Sequence, residues 1–343
     1  MKLASKAARF LRRLRTASLR RMGRHLNAIH KETGKNRVFL LCDMLWCTLR
    51  YGVGYLEYHV FGFAQNRGAN RKTFMTMSHN VALARMVNDA SCYPLLNDKF
   101  QFLARYQAFL GRRWLDLRQT DAEGLARFCQ GCPAVFAKRH ADFGGMGVEK
   151  LTPGPDTDFG ALYARLLERE QYLVEEAIVQ HADLNLLCPS SVNTLRVVTL
   201  LVRGEPRFVY ALLRMGSGDS AVDNISSGGL YTLVGPEGAL TYPAFCDKTG
   251  LYYDAHPATG TAFSGFRVPC FQEAVDLCLQ AALVETRLGY VGWDVAVTPQ
   301  GPVLVEGNNL PGYDMAQNAR FHPDGVGLLP RFEDLVGAPI PRA

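Results

Sequence analysis

The stretch that most constrains this chain is Gly292 to Tyr313, GWDVAVTPQGPVLVEGNNLPGY. It reads as strand, turn, strand and polar loop. Asp294 lies inside the apolar run from Val291 to Val297, and Pro299-Gln300-Gly301-Pro302 is a turn signal. Val303-Leu304-Val305 is a short buried-type strand that delivers Glu306, Asn308 and Asn309 to its end. If the two strands pair antiparallel, Asp294 and Glu306 fall side by side. An acid inside an apolar strand needs a partner. Two carboxylates and a carboxamide oxygen suit a hard cation such as Mg²⁺ bridging phosphate oxygens; the alternative is that both acids are ordinary strand-end residues.

Length and composition set the frame. The chain has 343 residues, 48% hydrophobic and 20% charged, which allows two or three domains. The net charge of +6 is carried by one end: residues 1–37 hold 12 Lys/Arg against the single acid Glu32, leaving 26 Lys/Arg against 31 Asp/Glu in the rest. That body is acidic, which argues against a nucleic-acid-binding groove. Nine cysteines are scattered, and the lone Cys129-Gln-Gly-Cys132 pair lacks the second pair of a zinc ribbon. Reduced, mostly buried cysteines in a cytoplasmic protein are expected. No window of 18 uncharged apolar residues exists, and residues 1–30 lack the apolar core of a secretory signal.

Residues 1–37 form a basic amphipathic segment. Leu3, Ala7, Phe10, Leu11, Leu14, Ser18, Met22, Leu26 and Ile29 recur at helical spacing, with Lys and Arg between them. Such a helix can lie on an anionic membrane surface through residues 1–30, pack on the body, or act as a transit-like leader. Residues 38–115 read as a helical region, with Tyr51, Tyr58, Phe61, Phe63 and Phe74 as core. From about 116 to 343 the texture is strands and glycine-rich turns. Strands are expected at 133–138, 172–176, 191–202, 208–215 and 230–234, and helices at 159–170 and 271–288.

Several residues can carry chemistry. Lys138 ends an apolar strand and precedes Gly144-Gly145-x-Gly147, a pattern suited to clamping a triphosphate or simply to a turn. It is neither a P-loop nor a dinucleotide fingerprint. YLVEEAI, Tyr172 to Ile178, can offer backbone groups to an adenine edge and an acid to a ribose, with Asp183 a second ribose candidate; it can equally be a strand ending in two solvated acids. Arg196 enters a β-run and Arg214 ends the next, each needing an anion, a phosphoryl group or a structural carboxylate. Asp223-Asn224-Ile-Ser-Ser-Gly228-Gly229 then forms a polar loop. No hydrolase elbow, metalloprotease or kinase signature is present, and His140, His181 and His256 read as hydrogen-bonding loop residues.

Taken in order, Asn97-Asp98-Lys99, Lys138 with its glycines, Glu175-Glu176, Arg196, Arg214, Asn224 with Gly228-Gly229, Asp294, Glu306, Asn308 and Pro311-Gly312 resemble the ATP-grasp superfamily. Residues 195–229 are similar to the α-L-glutamate ligases. The helical N-terminal region, SSVNTLRVVTL and the HPATG loop at 256–265 resemble the sugar-transfer-associated ATP-grasp group. The resemblance covers about 97–315. It implies an α+β ATP-grasp fold, two α+β subdomains gripping ATP (lid about 133–180, metal-binding unit 181–335), preceded by helices. It implies that Lys99 and Lys138 contact ATP phosphates under a lid of Gly144, Gly145 and Gly147. Glu175, Glu176, Ala177 and Ile178 would hold adenine and Asp183 the ribose. Asp294, Glu306 and Asn308 would bind Mg²⁺, two ions, with Mn²⁺ as a substitute. Arg196, Arg214 and Asn224 would hold the transferred phosphoryl group. One departure stands out: the α/β domain that usually precedes ATP-grasp is replaced by helices, so the acceptor surface is not inherited.

The expected activity is an ATP-dependent carboxylate–amine ligase acting through an acylphosphate, in polysaccharide, lipid-linked or peptide-conjugate synthesis. The alternatives are an ATP-grasp kinase phosphorylating a hydroxyl and a non-catalytic nucleotide-binding scaffold.

Overall fold

The computed structural model describes residues 18–139, 147–218 and 228–342. The chain enters through helices. Helix α1 (Leu19–Thr33) is capped by the Ser18 hydroxyl and stopped by Gly34 at φ 68°, and α2 (Arg37–Tyr51) is capped by Asn36 and stopped by Gly52 at φ 75°. Helices α3 (Tyr55–Val60), α4 (Met77–Val87), α5 (Pro94–Asn97) and α6 (Lys99–Arg105) follow. Leu26 and Ile29 of α1 pack into the core, and Arg320 near the C-terminus pairs with Glu32 at 2.9 Å. For residues 18–30 this favours packing on the body, with Ile29 buried and Met22 and Leu26 half-buried while Leu19 stays exposed; residues 1–17 lie outside the described residues.

A four-stranded antiparallel sheet comes next, made of β1 (Trp114–Asp116), β2 (Val135–Lys138), β3 (Val148–Leu151) and β4 (Leu173–Glu176) in the order β1-β4-β2-β3. It starts well upstream of residue 133. Helices α7 (Ala122–Cys129) and α8 (Phe159–Glu168) bury Leu125 and Leu166 against Val135, Ala137 and Val174.

After α9 (Ala182–Leu187), a second antiparallel sheet has seven strands among the described residues, in the order β11-β10-β5-β6-β7-β8-β9. They are β5 (Thr194–Val202), β6 (Glu205–Met215), β7 (Leu230–Val234), β8 (Ala244–Cys246), β9 (Leu251–Tyr253), β10 (Tyr290–Thr298) and β11 (Gly301–Asn308). Helix α10 (Phe271–Ala282), with α5 and α6, covers one face, onto which β10 projects Val291, Trp293, Val295 and Val297. The N-terminal helices and α11 (Leu329–Val336) cover the other, where Val198, Leu200, Tyr210, Leu212, Tyr231 and Tyr290 lie. Alternation along each strand thus feeds two separate cores. Each large side chain so buried contributes about 1.5–3 kcal/mol. Asp294 and Arg196 are polar exceptions on the second face.

No described helix is long and apolar enough to cross a membrane. The described cysteines are unbridged and mostly buried, as expected.

Candidate functional site

The β10–β11 hairpin pairs Asp294 directly with Glu306, and on the other side of β10 Asp294 faces Arg196 of β5. A bulge after Asp294 locally breaks the ladder, so that Val295 pairs with Leu304. Asp294 is buried and held on both oxygens: Arg196 donates Nε to Oδ1 and Nη2 to Oδ2 (3.0 Å), and Arg214 donates Nη1 to Oδ2 (2.9 Å). Burial alone would raise this carboxyl, but the two guanidinium charges outweigh it and hold it far below the usual carboxylate range. Glu306, its neighbour, is solvent-accessible at the strand end. The surrounding protein, and then the Asp294 carboxylate, push Glu306 up to about 7. The arginines expected at a phosphoryl group therefore already have a counter-ion, Asp294.

The loop after β11 is pinned by the helical region. Asn309 donates to the Asn97 carboxamide (3.1 Å), Asn88 donates to the carbonyls of Tyr290 and Asn309 (3.0 and 3.2 Å), and Asn80 donates to the Pro311 carbonyl (2.9 Å). Tyr210 donates to the Gly312 carbonyl at 2.6 Å. A Cβ on Gly292 would stand 3.0 Å from Pro311 and 3.2 Å from Arg196, so the turn closes directly over the arginine. Asn308 sits half-buried at the end of β11, its amide 3.4 Å from the Gly292 carbonyl. Lys99 opens α6, two residues after Asn97.

In the small sheet, Phe136 pairs with Glu175, which places Lys138 and Glu175 on one face. Glu175 is buried between two cations: Lys138 at 2.5 Å and Arg112 at 2.7 Å. Burial opposes its charge, but Lys138 and then Arg112 hold its carboxyl well below the usual range. Arg112 also donates to the carbonyl of Leu304 (2.6 Å), exposed by the bulge in β11. This residue joins the lysine of the small sheet to the acidic strand of the large one. Sequence reading missed it; its signal was Arg112-Arg113 following Gly111, a glycine at φ +56° whose Cβ would fall 2.4 Å from Val303.

The remaining candidates disperse. The Glu175 side chain is turned into its ion pairs, so it does not face an adenine. The N–H groups of Glu176 and Ala177 are bonded to Arg113 and Ala134, and the Glu176 carboxylate pairs with Arg113 at 3.3 Å. Ile178 is half-buried beyond the strand end, and Asp183 is exposed on the first turn of α9. Gly147 directly precedes β3 at φ 69°. Gly144, Gly145 and Asn224 lie outside the described residues, as does His140. His256 is buried, its ring bonded to the Gly216 carbonyl at 2.8 Å and accepting from the Ala258 N–H, a hydrogen-bonding role as expected.

Among the described residues no group of three or more His, Cys, Asp or Glu is arranged to hold a metal. Asp294, Glu306 and Asn308 offer two carboxylates and a carboxamide. That donor set fits Mg²⁺, which takes one or two carboxylates and completes its shell with water and substrate phosphates.

The sequence signature of the sugar-transfer associated ATP-grasp family matches residues 159–334, just over half of the chain. No curated protein matches. Among solved structures, the ATP-grasp ligase PsnB complexed with minimal precursor is similar at 16% identity, covering 73% of this chain and 64% of that chain, TM-score 0.44. D-alanyl-alanine synthetase A from Vibrio cholerae is similar at 15% identity, covering 71% and 66%, TM-score 0.39. N5-carboxyaminoimidazole synthetase from Staphylococcus aureus, complexed with ADP, is similar at 9% identity, covering 75% and 56%, TM-score 0.44. The chain spans less than two thirds of the length of each of these structures.

Proposed function

The chain belongs to the sugar-transfer associated ATP-grasp family, and from that premise we propose that it is an ATP-dependent carboxylate–amine ligase acting through an acylphosphate, in the cytoplasm. The observation that carries this reading is the unequal carboxylate pair: buried Asp294 clamped by Arg196 and Arg214, beside accessible Glu306.

In this reading the sheet of β1 to β4 with α7 and α8 is the lid unit, and the seven-stranded sheet is the metal-binding unit. Lys138 and Lys99 bind the ATP phosphates, and Glu175 keeps Lys138 extended toward them while Arg112 ties that ion pair to β11. Ala177 and Ile178 flank adenine, and Glu176 or Asp183 meets the ribose. Asp294, Glu306 and Asn308 would hold Mg²⁺, which when bound would supply Lewis-acid neutralisation of phosphate charge. Arg196 and Arg214, with Asn224, take the negative charge of the phosphoryl group as it moves to the acceptor carboxylate. Asp294 keeps both guanidinium groups in place beforehand, so little reorganisation is needed at that moment. The lid glycines Gly144, Gly145 and Gly147 close over the acylphosphate and exclude water until the amine attacks and phosphate leaves.

The test is ATP consumption across pooled carboxylates, amino acids, polyamines and sugar acids. A ligase releases ADP and phosphate only when carboxylate and amine are both present. ADP formation with the phosphate retained on a hydroxyl product would replace this reading with a kinase, and no turnover with any acceptor would favour a scaffold.

A further inference from the structure

Helix α2 breaks the pattern of a surface helix. Its inner stripe, Leu40, Met44, Cys47 and Tyr51, is buried in the core. Its outer stripe is also apolar: Val38 is 69% exposed, Leu49 60% and Trp46 48%, with Phe39, Leu45 and Cys42 exposed between them. A water-facing helix normally presents polar residues outward, and one apolar all round is usually covered on both sides. Here the outer side faces solvent as a contiguous stripe from Val38 to Leu49, about 17 Å long.

The charges around the stripe have one sign. The helix holds one acid, Asp43, which is turned inward and bound by Arg71 (Nη1 to Oδ1, 3.0 Å) and by the Tyr58 hydroxyl (2.7 Å). Exposed Arg37 and Arg50 mark the two ends, and exposed Arg67 lies 5.5 Å over the Phe39 ring at the flank. A second copy of the chain would meet this surface by two-fold symmetry. Antiparallel packing of α2 on itself would set Arg37 against Arg50, like charge on like charge. Phe, Trp and Leu bordered by arginine, with no carboxylate among them, instead match the boundary between acyl chains and anionic headgroups.

We propose that the outer face of α2 is an interfacial membrane-docking surface that seats Val38, Leu45, Trp46 and Leu49 among the lipids of an anionic bilayer while Arg37, Arg50 and Arg67 contact the headgroups. This goes beyond the ligase reading and does not depend on it. It also differs from docking through α1, whose apolar stripe is packed inward. The orientation that follows holds the helical region against the lipid, so that substrates attached to the membrane reach the enzyme from one side.

The experiment uses the full chain with vesicles of phosphatidylcholine alone and with phosphatidylglycerol added, read by co-sedimentation and by Trp46 fluorescence. Wild type partitions onto phosphatidylglycerol vesicles with a blue-shifted emission that Trp46→Phe removes, and high salt weakens binding. The double variant Val38→Glu, Leu49→Glu changes only exposed positions, so melting and ATP consumption stay as in wild type while partitioning falls by at least about ten-fold. Absence of wild-type binding to anionic vesicles overturns the proposal. So does undiminished binding by the double variant, including the case where deletion of residues 1–17 alone abolishes binding. Self-association of wild type that the double variant loses, without lipid binding, overturns it in favour of a second copy.

Discussion

Asp294 and Glu306 stand directly opposite each other on neighbouring strands, yet they are electrostatically unequal. Asp294 is buried and holds two arginines; Glu306 stands at the accessible strand end, and the surrounding protein first, then the charged Asp294, raise its pKa. The pair therefore carries one fixed charge and one that a cation can recruit. Two carboxylates this close share their protons unequally, and a divalent ion replaces the shared proton.

Glu306→Gln should remove that recruitable charge without disturbing the fold, because the side chain is accessible and forms no ion pair among the described residues. We predict a loss of ATP turnover of about two orders of magnitude or more, with an unchanged circular dichroism spectrum. Near-normal ADP release from the variant would remove Glu306 from the metal site.

The raised pKa also fixes a sign for stability. Unfolded Glu306 titrates near 4.5 and folded Glu306 at about 7, so the native state binds the extra proton between these values. Without Mg²⁺, this group's contribution is fully present below the lower value and is lost as pH rises through the upper one. Asp247, raised by burial and by Asp314 to about 7, acts in the same direction. Thermal melts across this range should show wild type losing stability with rising pH. The loss should be smaller in Glu306→Gln, and Mg²⁺ with nucleotide should reverse it. Because water reaches Glu306 and screens it, the shift in Tm should be modest. Identical pH slopes for wild type and Glu306→Gln would contradict the assignment.

The strands of the large sheet and the pairing of Asp294 with Glu306 were legible because strand period and turn chemistry act locally. The clustering of Arg196 and Arg214 near these acids was expected, but their binding to Asp294 was not. A cross-strand ion pair depends on register, which the sequence around 196 does not encode by itself. Helix α7 carried a readable cap, since the Asp121 carboxylate accepts from the Gly124 N–H; Gly124 and the short length hid it. The pinning of the 308–312 loop by Asn80, Asn88 and Asn97 spans more than 200 residues, and no local pattern announces such contacts.

Lys138 and Glu175 should respond asymmetrically. Lys138→Ala leaves Glu175 compensated by Arg112, so the fold holds and ATP binding weakens more than acceptor binding. Glu175→Ala strands the buried Arg112 guanidinium, and breaking a buried pair this way costs about 3–5 kcal/mol. Calorimetric binding of ATP to Lys138→Ala and chemical denaturation of both variants check this. Equal destabilisation by the two substitutions would mean that Arg112 does not hold Glu175 alone.

Asn88 offers the sharpest test of what the helical region does for the site. Its carboxamide accepts from the Tyr290 N–H (2.7 Å) and donates to the carbonyls of Tyr290 and Asn309, joining the end of α4 to β10 and to the loop beyond β11. Asn88→Ala removes these bonds from a half-buried position, which should cost about 1–3 kcal/mol. If the bonds only stabilise, activity measured well below the melting temperature should be normal. If they hold Asn308 and Asn309 in position, the Mg²⁺ concentration for half-maximal ATP turnover should rise several-fold while the KM for ATP at saturating Mg²⁺ changes little. We expect the second result, because the Asn309 carbonyl that Asn88 fixes adjoins the proposed ligand Asn308. Asn88→Asp keeps the acceptor and loses the donor, so it should retain the bond from Tyr290 N–H yet shift the Mg²⁺ dependence as Asn88→Ala does. A normal Mg²⁺ dependence in both variants would reduce Asn88 to a structural bond.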